Sequence, residues 1–287
     1  MSISIAISKK DKQIQTDAWF TCLRDLICKE FENIEQEAVG DFAAGAKFEK
    51  KKWQRSDGGG GEMSIMRGEV FEKVGVNIST VHGHFSDEFR SQIPGTETSA
   101  EFFACGVSLV SHMKSPLVPS IHMNTRFIAT GKSWFGGGID LTPTIANLGD
   151  HEFFHSKLKA ACDRHDLSYY PRFSKLCDEY FYLKHRKEPR GIGGIFFDYL
   201  NSGDDLFKDD FNFVKDVGRA FIEIYPAIVR KHMNTPWTEE QKEQQLIKRG
   251  RYVEFNLIYD RGTKFGLMTD GNPEAILMSM PPCAKWP

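Results

Sequence analysis

Within SLVSHMKSPLVPSIHMNTRF (108–127), His122, Asn124 and Arg126 recur at every second position. A strand over 120–128 puts these three on one face, with Ile121, Met123 and Phe127 on the other. Ser108, Val110 and His112 likewise share a face of the preceding strand, and KSPLVP between the two closes a hairpin that sets the polar rows side by side. A solvated edge strand also alternates polar and apolar residues. His, Asn and Arg in place of Lys and Glu point instead to proton transfer and anion binding. WFGGGIDLTP (134–143) adds three glycines that clear side chains from a strand, followed after Ile139 by Asp140. Such a surface admits a flat ligand or another backbone, and it is also the pattern of a bulge with Asp140 in a turn.

Arg190 stands beside glycines in RGIGG, Arg261 in DRGT, and Arg126 in the polar row. Three arginines around one cleft suit a ligand with several carboxylates. His185-Arg186-Lys187 reads as the cationic end of a helix. His151-Glu152-Phe153-Phe154-His155 matches the zinc-peptidase pattern HExxH, with Glu179 as the available third ligand. The extended form fails, because Leu158 and Ala161 stand where Gly and His are required. DGGGGE (57–62) fits neither nucleotide-binding glycine pattern and reads as a loop.

The elements that must hold these residues follow from periodicity. Apolar residues at 14, 18/19, 22/23, 26/27, 31 and 34 make a helical stripe within an N-terminal helical segment, 1–45. Residues 46–142 read as strands, 151–187 as helix, and RGIGGIFFDYL (190–200) as a loop entering a strand. Helices follow at 205–232 and 238–248, the second opening on a capping box, Thr238 to Gln241. RYVEFNLIYD, TKFGLMT and EAILMSM, joined by DRGT and DGNP, read as a C-terminal strand meander over 252–287. The sum is a single α+β domain, 1–287, whose sheet the C-terminus completes. Lys and Arg total 37 against 39 Asp and Glu, a balance that argues against a nucleic-acid binder. No apolar run reaches the roughly 18 residues of a spanning helix, and the N-terminus lacks a secretory leader. Six cysteines without CxxC spacing read as reduced thiols of a cytoplasmic protein.

GGGGEMSIMRGEVFEKVGVNIS, HMNTRF, SWFGGGIDLTP, CDEYFYLKHRKEPRGIGGIFFDYL, KRGRYVEFNLIYDRGTKFGL and ILMSMPP together resemble the oxygen-dependent coproporphyrinogen III oxidases of haem biosynthesis, from about residue 50 to the C-terminus. The resemblance implies oxidative decarboxylation of two propionates of coproporphyrinogen III to vinyls, giving protoporphyrinogen IX with dioxygen as co-substrate. It implies a large, flat, mostly antiparallel sheet flanked by helices, no organic cofactor, and a homodimer formed through the segment from about Tyr252 onward. His122 matches the family's proposed proton donor, and Ser108, Asn124, Thr125 and Arg126 its substrate-binding positions. Asp140, Arg190, Asp260 and Arg261 match residues implicated in holding the porphyrinogen, with Asp140 and Asp260 as catalytic carboxylates. His112, His122, His155 and His185 match histidines assigned to a divalent metal in some members, while other accounts describe a metal-free enzyme.

The chain departs from the family twice. Phe153 replaces the first His of a His-x-His pair ending at His155, so HExxH reads as an accident of register. In the turn Asp270-Gly271-Asn272, a substrate-binding position, Asn272 stands where relatives carry Arg; Arg251 and Lys264 are the cations available to compensate. A zinc peptidase and a non-catalytic tetrapyrrole-binding protein are the rival readings.

Overall fold

A computed structural model describes residues 7–40, 43–85, 90, 93–97, 99–201, 203, 206–268 and 271–287. Six strands follow one another as an antiparallel meander: β1 (Glu49–Gln54), β2 (Gly59–Met66), β3 (Phe71–His84), β4 (Glu101–Met113), β5 (Ser120–Ala129) and β6 (Ser133–Thr142). The chain then leaves the sheet through helices α2 (Leu148–Asp163) and α3 (Tyr169–Tyr180) and a two-residue hairpin, β7 (Tyr182–Leu183) with β8 (Glu188–Pro189). It returns as β9 (Gly194–Leu200) against β6, so the sheet has seven strands in the order β1-β2-β3-β4-β5-β6-β9. The α+β reading and its antiparallel sheet flanked by helices hold.

One face of the sheet is the main core. Helix α1 (Lys9–Val39) lies on it, started by the Ser8 side chain, which accepts from the Asp11 backbone N–H. Its buried stripe is Phe20, Leu23, Ile27, Phe31 and Ile34. Ile14 and Leu26, counted into the stripe from periodicity, are exposed. Helix α4 (Phe207–His232) packs beside α1, and Phe213, Phe221 and Tyr225 meet Phe31, Phe71, Phe127 and Phe197 there.

The other face is covered in part by the C-terminal segment after Trp237, and here the expected strand meander is overturned. Its elements are α5 (Glu239–Ile258), α6 (Arg261–Met268) and α7 (Pro273–Ile276), then a 3₁₀ turn over Leu277–Ser279. The expected capping box is present, Thr238 and Gln241 each bonding the other's backbone. Tyr252, Phe255 and Asn256 are buried on one side of α5, spacings of three and four that belong to a helix. The supposed hairpin turns are helix starts. An Asp260 carboxylate oxygen accepts from Thr263 N–H, and the Asn272 side chain accepts from Ala275 N–H with Pro273 at the first helical position. Asp, Asn and Gly serve turns and caps alike, which is why the composition misled. The expected helix over 151–187 also stops early. Helix α3 ends at Tyr180, and His185–Lys187 form the β7–β8 turn with Lys187 at φ 56°, so no helix dipole favours those cations.

Candidate active site

Strand β5 alternates as expected: Ile121, Met123, Thr125 and Phe127 are buried against α1 and α4, while His122, Asn124 and Arg126 are half-buried on the opposite face. The hairpin register sets Ser108 opposite Asn124 and Gly106 opposite Arg126, and across the next strand His122 opposite Asp140 and Arg126 opposite Gly136. A Cβ on Gly136 would lie 2.6 Å from the Arg126 guanidinium, so the glycine is what lets that side chain lie across β6. Thr125, expected to bind substrate, points the other way: it is fully buried in the core, and only its backbone belongs to this site.

The polar row is one continuous chain of hydrogen bonds and ion pairs. His122 Nδ1–H donates to Asp140 Oδ1 at 2.8 Å, and Arg190 donates to Asp140 Oδ2 at 2.6 Å. Arg126 donates to Asn124 Oδ1 at 3.1 Å, which turns the Asn124 NH₂ toward His122 Nε2, also 3.1 Å away. Because a guanidinium only donates, this orientation makes Nε2 the acceptor and fixes His122 as the neutral Nδ1–H tautomer. Beyond Asn124, Arg126 meets Asp198 at 2.9 Å, and Asp198 meets Arg261, the first residue of α6, at 3.5 Å.

Asp140 and Arg190 are almost wholly buried. Burial alone would raise the Asp140 carboxyl, but Arg190 and His122 hold it below its ordinary value. Burial opposes the Arg190 charge as well, and Asp140 outweighs it. The Arg190 guanidinium carbon lies 4.0 Å from the ring centre of Phe181, 4.6 Å from Tyr252 and 4.7 Å from Phe255, faces that suit a cation. Asn256 Oδ1 accepts a further Arg190 N–H at 3.3 Å. The loop carrying Arg190 is pinned by His155, whose Nε2–H donates to the Ile192 carbonyl while Tyr170 O–H donates to its Nδ1.

Not every expected site residue joins this chain. Asp260 caps α6 and accepts from Tyr180 O–H, so both its oxygens have structural work. Ser108 is exposed on the cleft face opposite Asn124. Asp270 lies outside the described residues, while Gly271 and Asn272 line a separate groove near β1. The four histidines expected of a metal centre do not converge. His112 donates to the Ser279 carbonyl, His122 and His155 are engaged as above, and His185 meets Tyr259 O–H and the Glu254 carboxylate. Among the described residues no three His, Cys, Asp or Glu side chains form a metal-sized group, so these residues do not fit a shared ion. HExxH fails by the same test, since both His155 nitrogens are occupied and Glu179 faces Lys175.

Sequence reasoning missed Asp198 and Asn256. Asp198 sits two residues from Phe196 in β9, which pairs with Gly138 on the cleft face, so alternation in FFDYL would have found it. Asn256 sat in the stretch misread as strand.

An open antiparallel sheet with a paired carboxylate and imidazole, flanked by arginines over glycine-cleared backbone, suits an enzyme acting on a multiply acidic ligand. The coproporphyrinogen III oxidase family model matches residues 15–287. The protein called oxygen-dependent coproporphyrinogen-III oxidase in Rickettsia bellii (strain OSU 85-389) is 62% identical over 281 residues, covering 98% of this chain and 100% of the relative. Its namesake in Rickettsia akari (strain Hartford) is 64% identical over 278 residues, covering 96% and 99%. The chain belongs to the coproporphyrinogen III oxidase family.

Proposed function

We infer that this protein oxidatively decarboxylates two propionates of coproporphyrinogen III to vinyl groups, yielding protoporphyrinogen IX for haem biosynthesis with dioxygen as oxidant. The observation that carries the reading is the unbroken chain Arg261–Asp198–Arg126–Asn124–His122–Asp140–Arg190 on a glycine-cleared sheet face. Each propionate loses carbon dioxide and a hydride equivalent, and dioxygen takes the two electrons. A porphyrinogen is electron-rich enough to react this way without flavin or haem.

The residues divide the work. Arg126 and Arg261 receive substrate carboxylates, with Asp198 holding both guanidinium groups ready. His122 accepts a proton at Nε2 and gives it up again, and Asp140 stabilises the imidazolium between those events. Asp140 therefore acts through His122, because both its oxygens are already bonded and it is 2% exposed. Arg190 keeps that carboxylate ionised. Ser108 lies within the same face as a hydroxyl donor to substrate.

No helix among the described residues is long and apolar enough to cross a membrane. A cytoplasmic location suits six cysteines of which none is paired. A homodimer through the C-terminal segment is supported by Leu257, Ile258, Leu267 and Trp286, all exposed there.

The test is anaerobic mixing with coproporphyrinogen III, then admission of oxygen while vinyl products and carbon dioxide are measured. Carbon dioxide released with vinyl formation only after oxygen enters is the expected result. Tight binding without either product would leave a non-catalytic tetrapyrrole-binding protein.

A further inference from the structure

Across the cleft face, one row of directly paired residues runs Trp53, Gly61, Ser79, Gly106, Arg126. Between the Trp53 and Arg126 backbones stand only two glycines and a serine, over four inter-strand steps of about 4.8 Å, or about 19 Å in all. On one side, the neighbouring rows are roofed over β3. Met278 lies over Gly75, where a Cβ would be 1.7 Å from its sulfur, and Asn77 donates to the Ala275 carbonyl. The Gly61–Ser79–Gly106 row is half-buried, so it is an open lane beside the C-terminal roof.

The lane has one cation at its β5 end and a second, Arg55, alongside it over the Phe102 ring of β4. At one end are Arg126 and its network. At the other, the β1–β2 turn and the turn before α7 enclose a groove of about 580 Å³, lined by Trp53, Arg55, Asn272 and Glu274 among others. The Trp53 ring packs on Gly61, within 2.7 Å of where a Cβ would stand, and so forms an apolar wall. Arg55 sits over the Phe102 ring, with an ion pair to Asp57 at 3.4 Å. Asp57 is 66% exposed, and a pair so long and so wet is easily exchanged for another carboxylate. The Asn272 carbonyl is used in capping α7, which leaves its NH₂ as a donor.

We propose that Arg55, with Trp53, is a second carboxylate subsite that holds an unreacted propionate of the tetrapyrrole lying along the lane. This deepens the function inferred above and rests on it. A flat macrocycle with several acidic arms needs a bare strip of sheet with cations around it, and Arg126 and Arg55 flank this row. The 3.4 Å pair with Asp57 gives Arg55 a resting partner without locking it away.

The test is equilibrium binding of coproporphyrinogen III under nitrogen, so that it reads affinity whether or not oxygen later yields product. Arg55→Gln should weaken binding about tenfold or more, the difference between a charge-assisted and a neutral contact, and Arg55→Lys should recover part of it. An analogue with its two non-reacting propionates capped as methyl esters should bind parent and Arg55→Gln alike. Ser79→Leu, mid-lane, should weaken both ligands. Unchanged affinity in Arg55→Gln, or an equal loss for the acid and the ester, overturns the subsite; unchanged affinity in Ser79→Leu overturns the lane. Failure of the parent protein to form vinyl product once oxygen enters would instead overturn the catalytic reading.

Discussion

The two faces of the central sheet are built from the same strands under opposite rules. On the α1 and α4 side, Thr125, Phe127, Phe135 and Phe197 are at most 2% exposed and are asked only to fill volume. On the cleft side, His122, Asn124, Arg126 and Asp140 bond one another in series, so each one's orientation depends on the next. A core face tolerates exchange among residues of similar size, because packing is non-directional. A face whose members are linked donor to acceptor tolerates none, since each loss leaves a neighbour unpaired. Alternation with period two lets one strand obey both rules.

The largest test of that contrast is Asp140→Asn. It leaves a single acceptor oxygen to serve both His122 and Arg190, turns an NH₂ toward one of these donors, and strips buried Arg190 of its anion. Turnover should fall by about 10²–10³, and stability by about 3 kcal/mol or more from a broken buried pair. Asp260→Asn provides the comparison. Asn is as good a cap, so stability should drop by less than about 1 kcal/mol and turnover by only a few-fold. Equal kinetic damage from both substitutions, measured as kcat/KM on the pure proteins, would mean that Asp260 shares the chemistry rather than capping α6.

Legibility in the sequence followed how far a residue's role depends on near neighbours. The period-two row of β5 and its pairing with β4 were readable because alternation is a local rule. Most strands from 46 to 142 were readable for the same reason; Gly59–Glu62, read as loop for its glycines, opens β2 instead. Residues 252–276 were not, because Asp260-Arg261-Gly262 and Asp270-Gly271-Asn272 carry residue types shared by hairpin turns and helix caps. The tertiary packing of Tyr252 and Phe255 around Arg190 decides between them. The histidine set failed differently. His112, His155 and His185 are far apart in sequence, and only the fold reveals that each serves its own carbonyl, hydroxyl or carboxylate.

A smaller effect separates neighbours on β5. Asn124→Leu breaks the link between Arg126 and His122 while keeping the side-chain volume, and should lower kcat about tenfold to a hundredfold. Thr125→Val, one residue on, changes a buried hydroxyl that finds no partner among the described residues. It should leave kcat unchanged and stability unchanged or slightly raised. Matching losses in kcat from the two would show that the faces are not separable.

The smallest effect at neutral pH concerns His112, on the cleft face yet sealed beneath the 3₁₀ turn. Its Nε2–H donates to the Ser279 carbonyl at 2.9 Å, and the Tyr252 ring stands edge-on at 5.1 Å. Burial first, then the charges of Arg249 and Lys73, push its pKa down from 6.5 to about 3, against the pull of the Ser279 carbonyl and Glu72. The folded protein therefore holds this ring neutral through a range where the unfolded chain would protonate it. Stability from this group is complete above about pH 6.5 and is lost as pH falls toward 3, by up to about 1.4 kcal/mol per pH unit. His112→Gln keeps an N–H for Ser279 and cannot titrate. Denaturant midpoints at pH 7.5 and 5.5 should show the parent losing more stability than the variant, by about 1 kcal/mol. Parallel losses would mean that His112 charges freely in the folded state, and that the 3₁₀ turn does not seal this end of the cleft face.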